Sequence, residues 1–123
     1  MAAISAVFSL LPEGSVVVAA SNGYQGTTTL LKKLHESEKL KVRFVNLANT
    51  DETVAAIPGA QMLYLESPLN PLLEIIDLPK LIAAGKAAGC GVAVDNTLAT
   101  PLLQNPLALG ADIVIHSVTK YLS

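Results

Sequence analysis

Short runs of β-branched and other apolar residues alternate with longer, helix-like segments along this chain. Alternation of this kind is typical of a parallel sheet whose strands are joined by helices. Apolar residues make up 51% of the sequence and charged residues only 15%, which favours strands that are buried on both faces. We therefore predict an α/β fold, a mostly parallel sheet covered by helices, in a single domain.

The same pattern assigns ranges to the individual elements. The predicted strands are Ser15–Ala20, Lys41–Asn46, Gln61–Glu66, Val92–Asp95 and Asp112–His116. The predicted helices are Ala2–Leu11, Thr27–His35, a short helix that ends at Ile57 and is capped by Thr50 or Asp51, and Leu78–Ala88, which Gly89 ends.

Charge and cysteine content exclude several classes of function. The net charge is −2 and the basic residues are scattered, so we expect no nucleic-acid or anionic-membrane surface. Cys90 is the single cysteine, which rules out an internal disulfide and favours a reducing compartment. No apolar stretch reaches the roughly 18 residues of a membrane span. The opening apolar run has no Lys or Arg before Lys32, unlike a signal peptide, and we expect a cytoplasmic protein.

Three of the predicted strands end in polar residues. Glu66 to Asn70 come at the end of the first strand, Asp95 to Thr97 at the end of the second, and His116 to Lys120 at the end of the third. In open parallel sheets the carboxyl ends of the strands form the edge at which ligands bind. If the three strands are neighbours, one rim carries two carboxylates, an amide, several hydroxyls and a lysine.

Such a set of side chains suits pyridoxal phosphate (PLP). This cofactor needs a lysine to hold its aldehyde as a Schiff base and a carboxylate opposite its pyridine nitrogen. Lys120 and Asp95 are candidates for these two roles. Ser117 and Thr119 could donate hydrogen bonds to the phosphate, and a helix that begins near Met1 could add backbone N–H donors.

Each of these residues also has a simpler interpretation. An aspartate at a strand end is commonly a helix cap or turn residue, a single lysine is commonly solvated, and a Ser-x-Thr pair is common in turns. His116 is expected to be a packed residue rather than a catalytic one, Cys90 an inert buried thiol, and His35 part of a solvated helix end. No spacing of His, Cys, Asp or Glu suggests a metal site.

Four segments resemble consecutive motifs of the Cys/Met-metabolism, or trans-sulfuration, PLP enzymes. They are GYQGTTTL (Gly23–Leu30), LESPLNP (Leu65–Pro71), VAVDNTLATP (Val92–Pro101) and GADIVIHSVTKYL (Gly110–Leu122). The resemblance implies an aspartate-aminotransferase-like (fold type I) PLP-binding domain. It also implies that residues 1–123 are part of this large domain, without the family's N-terminal arm and C-terminal domain.

The resemblance further implies a role for each matching residue. Lys120 would bind the cofactor covalently and transfer protons, and Tyr24 would stack on the cofactor ring and assist proton transfer. Asp95 would pair with the ring nitrogen, with Glu66 and Thr97 in a supporting network. The remaining cofactor contacts would be Met1, Asn70, Ser117 and Thr119.

The implied reaction is PLP-dependent C–S bond chemistry on a small sulfur amino acid, such as cystathionine cleavage or synthesis, in a homodimer or homotetramer. Gly26 stands where methionine γ-lyases tend to carry a cysteine, which argues mildly against that member. The alternative is a truncated, catalytically inactive fragment that at most binds PLP or associates with partner subunits. A hydrolase or nucleotide-binding module is disfavoured because the chain has no Gly-x-Ser-x-Gly elbow and no Walker-type loop.

Overall fold

The computed structural model describes residues 2–67, 76–97 and 105–116. Within them, five parallel strands form one sheet in the order β2-β1-β3-β4-β5. The strands are β1 (Ser15–Ala20), β2 (Leu40–Val45), β3 (Met62–Glu66), β4 (Gly91–Asp95) and β5 (Ile113–Ile115). The helices are α1 (Ala2–Ser9), α2 (Gln25–Glu36), α3 (Thr50–Ala56) and α4 (Leu78–Ala87). The predicted α/β fold with a parallel, helix-covered sheet is confirmed.

Alternate residues of each strand face two separate cores. The α1–α2 face of the sheet consists of α1, α2 and the strand residues packed on them, which include Val17, Met62 and Tyr64. The α3–α4 face consists of α3, α4 and the intervening strand residues, which include Leu63 and Leu65. Because the strands are covered on both sides, they read in sequence as continuous apolar runs.

The helix ends show where local sequence patterns were ambiguous. The N-cap of α3 is Asn49, whose side chain accepts a hydrogen bond from the Glu52 backbone N–H at 3.1 Å; the prediction of Thr50 or Asp51 as the cap is wrong. All three residues can cap a helix, and only Asn49 has the extended backbone that places its side chain over the first turn. Helix α4 ends as predicted, with Gly89 at a φ of +79° just after it.

Strand β2 lies at the edge of the sheet, and His35 covers part of its open side. The His35 Nδ1 atom accepts a hydrogen bond from the Val42 backbone N–H at 3.0 Å. The imidazole is exposed, as expected for a solvated helix end, but it also satisfies an edge-strand donor that would otherwise be unpaired. Within the described ranges, no helix has the length and apolar character required to cross a membrane.

Candidate functional site

The carboxyl ends of β3, β4 and β5 lie side by side. Glu66 is opposite Asp95 in the parallel register, and Asp95 is opposite Ile115. The register continues past the strand ends, because the Asn96 backbone N–H donates to the Ile115 carbonyl at 2.9 Å. The predicted rim therefore exists, with the Glu66 and Asp95 carboxylates on adjacent strands.

Asp95 is held in one orientation by the residue two positions after it. The Thr97 backbone N–H and the Thr97 hydroxyl donate to the same carboxylate oxygen, Oδ1, at 3.1 and 2.6 Å. The second oxygen, Oδ2, accepts no hydrogen bond from any described residue. A carboxylate that is held through one oxygen is well suited to accept, through its other oxygen, a hydrogen bond from a bound molecule.

Glu66 fixes the backbone that carries Tyr24. Its Oε2 atom accepts a hydrogen bond from the Tyr24 backbone N–H at 2.8 Å, and its side chain is buried. A carboxylate at the start of α2 is favoured by the helix dipole. Tyr24 itself is the N-cap residue and is 38% exposed, so the backbone is anchored while the side chain remains accessible.

Gly23 makes this contact possible. A Cβ atom at position 23 would lie only 2.7 Å from the Glu66 Oε2 atom and 3.2 Å from the Ala20 Cβ. Glu66 and Tyr24 are 42 residues apart, so their contact is invisible to a local reading of the sequence. In the sequence, the glycine before Tyr24 is the feature that indicates a close approach of another group to the backbone at this point.

Two buried hydroxyl groups lie beneath the rim, and sequence reasoning missed both. Tyr64 is 2% exposed and Thr27 is 5% exposed. Neither hydroxyl makes a hydrogen bond of good geometry with a described residue. Burial is the main cause that raises the pKa of Tyr64, with the Asp95 and Glu66 carboxylates acting in the same direction and the Thr27 hydroxyl opposing them.

Five of the predicted cofactor contacts lie outside the described residues: Met1, Asn70, Ser117, Thr119 and Lys120. Their proposed roles stay predictions. His116, which directly precedes this last group, is half-buried, and its Nδ1 atom has no hydrogen-bond partner among the described residues.

The remaining candidates have structural roles or none. Cys90 is buried, its thiol donates to the Ala60 carbonyl at 3.1 Å, and burial raises its pKa. It is therefore a protonated, unreactive thiol, as predicted. Across the described ranges, no three His, Cys, Asp or Glu side chains are grouped so as to hold a metal ion.

A family model described as Cys/Met metabolism PLP-dependent enzyme matches residues 1–123. The chain belongs to this family. The match confirms the resemblance that the four motifs carried, and it confirms PLP as the family's cofactor.

Curated members of the family align with nearly the whole chain. A cystathionine β-lyase of Lactococcus lactis subsp. cremoris is 43% identical over 123 residues, which is 99% of this chain and 32% of the relative. A cystathionine γ-lyase of Bacillus subtilis is 44% identical with the same coverage. The chain thus spans about a third of the length of these relatives.

Solved structures of family members share the fold. A cystathionine γ-synthase from Xanthomonas oryzae pv. oryzae superposes with a TM-score of 0.93 at 35% identity, covering 98% of this chain and 32% of that one. A cystathionine γ-lyase from Lactobacillus plantarum gives a TM-score of 0.92 at 37% identity, with the same coverage. The predicted fold type I architecture is confirmed by these neighbours.

The described part of the family's site is compatible with PLP. The Oδ2 atom of Asp95, which accepts no hydrogen bond from a described residue, is a suitable acceptor for a protonated ring nitrogen, and the accessible ring of Tyr24 lies on the segment that Glu66 anchors. Glu66 and Asp95 are both held by hydrogen bonds from the chain's own residues. Such prior support lowers the cost of binding a rigid aromatic cofactor.

Proposed function

We propose that the protein catalyses PLP-dependent C–S bond chemistry on sulfur amino acids, as a trans-sulfuration lyase or transferase of the cystathionine γ-lyase or γ-synthase kind. The observation that supports this most directly is Asp95, which Thr97 holds through Oδ1 and whose Oδ2 atom accepts no hydrogen bond from a described residue. When bound, PLP supplies an electron sink that stabilises negative charge at the substrate α carbon. The chain's own residues bind the cofactor, orient it and move protons.

Asp95 is proposed to keep the ring nitrogen protonated. An anionic carboxylate beside a nitrogen base favours its protonated form, and the two bonds from Thr97 stabilise the carboxylate as an anion. Thr97 therefore contributes to cofactor binding through Asp95. Glu66 has a corresponding role for Tyr24, whose ring is proposed to stack on the cofactor and assist proton transfer.

Lys120 is proposed as the residue that binds the cofactor covalently and transfers protons between substrate atoms. A lysine amine that is partly removed from water loses its proton more readily and becomes a nucleophile. The remaining proposed cofactor contacts are Met1, Asn70, Ser117 and Thr119. The proposed domain assignment is that residues 1–123 are part of the family's large PLP-binding domain.

The substrate is proposed to be a small sulfur amino acid. The names of the relatives cited above include a cystathionine β-lyase, γ-lyases and a γ-synthase, which share cystathionine but differ in the bond that is broken or formed. The proposal therefore stops at the class of reaction. Assays with cystathionine, in which thiol, pyruvate and 2-oxobutanoate are measured separately, would distinguish β from γ cleavage.

Covalent labelling tests the proposal. The protein is incubated with PLP, reduced with borohydride and weighed intact and as peptides, with Lys120→Ala as the control. We expect one pyridoxyl-phosphate adduct, located at Lys120 and absent from the variant. Labelling spread equally over the other lysines, or no labelling, would contradict the proposed cofactor chemistry. A specific adduct without cystathionine turnover would instead favour the alternative, a catalytically inactive protein that binds PLP.

A homo-oligomer, either a dimer or a tetramer, and a cytoplasmic location complete the proposal. The buried, protonated thiol of Cys90 suits a reducing compartment. One family relative, a cystathionine β-lyase of Arabidopsis thaliana, is named as chloroplastic. Native mass spectrometry would give the number of subunits, and cell fractionation would give the compartment.

A further inference from the structure

Tyr64 and Thr27 are two buried polar side chains, among the described residues, that the proposed function leaves unexplained. Their side chains are at least nine-tenths buried, and neither hydroxyl has a partner of good hydrogen-bond geometry among the described residues. A buried hydroxyl without a partner destabilises the fold, because the water that it loses is not replaced. Phe at position 64 and Val at position 27 would have nearly the same shapes and would avoid that cost.

The register of the sheet directs Tyr64 toward the two carboxylates. Tyr64 lies two residues before Glu66 on the same face of β3, and it is opposite Ala93, which lies two residues before Asp95. Side chains at such diagonal positions are within reach of a tyrosine. Strand β3 is the direct neighbour of β4, so the phenol lies beneath both acids.

The surroundings of the Tyr64 ring restrict its orientation. The Phe8 ring of α1 packs against it, with the centroids 5.1 Å apart and the planes at 47°. On the α2 side, Thr27 approaches its hydroxyl. Among the described residues, the charged groups that act on the phenol are Asp95 and Glu66; α1 contributes the uncharged Phe8.

The charge of this environment makes the phenol a hydrogen-bond donor. Burial and the negative charges of Asp95 and Glu66 raise the pKa of Tyr64, so the hydroxyl keeps its proton throughout the ordinary pH range. A protonated phenol beside a carboxylate donates rather than accepts. Asp95 has the acceptor capacity, because its Oδ2 atom receives no bond from a described residue and a carboxylate oxygen has more than one lone pair.

We propose that Tyr64 is a positioning residue for the reaction: its phenol is the buried donor on the protein side of the Asp95 carboxylate, and Thr27 orients that phenol. The assignment rests on the proposed PLP chemistry, since Asp95 acts there through the ring nitrogen. The donor stabilises Asp95 as an anion and so preserves the positive charge of the ring. Thr97 supports the carboxylate from its loop in this structure, whereas the Tyr64 hydroxyl makes no hydrogen bond of good geometry here and is assigned as the donor from the core in the PLP-loaded protein.

The test uses the PLP-loaded protein and the substitution Tyr64→Phe, which retains the ring packed on Phe8. We expect PLP to bind roughly 3- to 10-fold more weakly, as for the loss of one hydrogen bond. The midpoint of the pH-dependent change in the absorption of the bound cofactor should move upward. With a more basic Asp95 the ring is less positive, and the cofactor retains its remaining proton to higher pH.

Two threonine variants separate positioning from packing. Thr27→Val removes the second hydroxyl without changing the shape of the side chain, and should move the absorption midpoint in the same direction by a smaller amount. Thr53→Val makes the same change at an equally buried threonine on the α3–α4 face. It should lower stability, because that hydroxyl donates to backbone carbonyls, and leave the midpoint unchanged.

The possible failures differ from one another. If the unsubstituted protein binds PLP and Tyr64→Phe has the same affinity and midpoint, the role of Tyr64 is overturned and the proposed function stands. A midpoint that moves equally in Thr53→Val would also overturn it, because the shift would then follow stability alone. Should Tyr64→Phe fail to fold, an unshifted Thr27→Val decides against the assignment. No PLP binding by the unsubstituted protein would overturn the proposed function together with this inference.

Discussion

The two faces of the sheet are built from alternate residues of the same strands, yet they differ in the hydrogen bonding of their buried polar side chains. On the α3–α4 face, the Thr53 hydroxyl donates to the Asn46 and Asn49 carbonyls, and the Cys90 thiol donates to the Ala60 carbonyl. On the α1–α2 face, the hydroxyls of Tyr64 and Thr27 have no partner of good geometry among the described residues.

Under the proposed function, this difference assigns stability to one face of the sheet and chemistry to the other. A face whose buried polar groups are satisfied internally has no need of a ligand. A face that keeps incompletely satisfied groups beside two carboxylates is prepared to bind one. The division depends on the two-residue period of the strand: Leu63 and Leu65 enter one core, while Tyr64 enters the other, and the same period puts Glu66 on the Tyr64 side. A shift of one residue in register would exchange them.

The largest effect is expected from Asp95→Asn, which removes one of the two carboxylate charges on the α1–α2 face. We predict a loss of PLP affinity on the order of 100-fold, as for truncation of one partner of a buried charge pair. The measurement is an equilibrium titration with PLP followed by absorption. An affinity within experimental error of the unsubstituted protein would remove Asp95 from the site.

The next effect is expected on the other face, from Leu81→Ala. Leu81 is fully buried in α4, and truncation of such a residue costs about 2–5 kcal/mol through lost burial and the resulting cavity. Denaturant unfolding of the PLP-free protein measures this change. The PLP affinity of the fraction that remains folded should be unaltered, and a parallel loss of affinity would contradict the separation of the two faces.

Two glycines provide a matched pair of smaller changes, one on each face. In Gly85→Ala the new Cβ would lie 2.9 Å from the Val92 Cγ2 atom. Overpacking of this kind costs about 1–3 kcal/mol, which the better helix propensity of alanine offsets by roughly 1 kcal/mol. In Gly23→Ala the Cβ meets the Glu66 carboxylate instead. We predict that Gly85→Ala lowers only stability, and that Gly23→Ala also lowers PLP affinity by displacing Tyr24.

The smallest effect is expected at the opposite end of the sheet, where Asp112 accepts hydrogen bonds from the Lys86 ammonium at 2.7 Å and the Val92 backbone N–H at 2.8 Å. The Lys86 hydrogen bond, followed by that of Val92, lowers the pKa of Asp112 from its ordinary value of 3.8. A lowered folded-state pKa adds stability that is complete above pH 3.8 and is lost as the pH falls through the folded value.

Asp112→Asn should therefore lower stability at neutral pH and flatten the loss of stability in acid. Both side chains of the ion pair are more than 40% exposed, so solvent screening limits the effect to under about 1 kcal/mol. Unfolding curves between neutral pH and pH 3 measure it. This variant is also the aspartate control for Asp95→Asn, and its PLP affinity should be unchanged.

The features that could be predicted from the sequence are those that depend on residues contiguous in the chain. Buried parallel strands appear as apolar runs, and the position of Asp95 after one such run places it on the rim of the sheet. The contacts that escaped prediction join distant or ambiguous residues. Tyr64 reads as one more apolar residue within its strand, and its hydroxyl becomes informative only when Thr27, Glu66 and Asp95 surround it.

The same limit explains the other misses. The hydrogen bond from the Tyr24 backbone to Glu66 spans 42 residues and is set by how α2 packs against β3. At the start of α3, three consecutive residues could act as the cap, and backbone geometry selected Asn49. The His35 imidazole reached the edge of β2 because the chain turns back directly after α2.

Hydrogen–deuterium exchange with and without PLP is the most direct test of the claim that the α1–α2 face alone carries the cofactor site. At short exchange times, local openings dominate over global unfolding. We predict slower exchange on PLP addition in peptides that cover residues 21–28 and 92–97, with no change in those that cover 50–57 and 78–88. Slower exchange confined to the latter peptides, or an equal change in all of them, would contradict the claim.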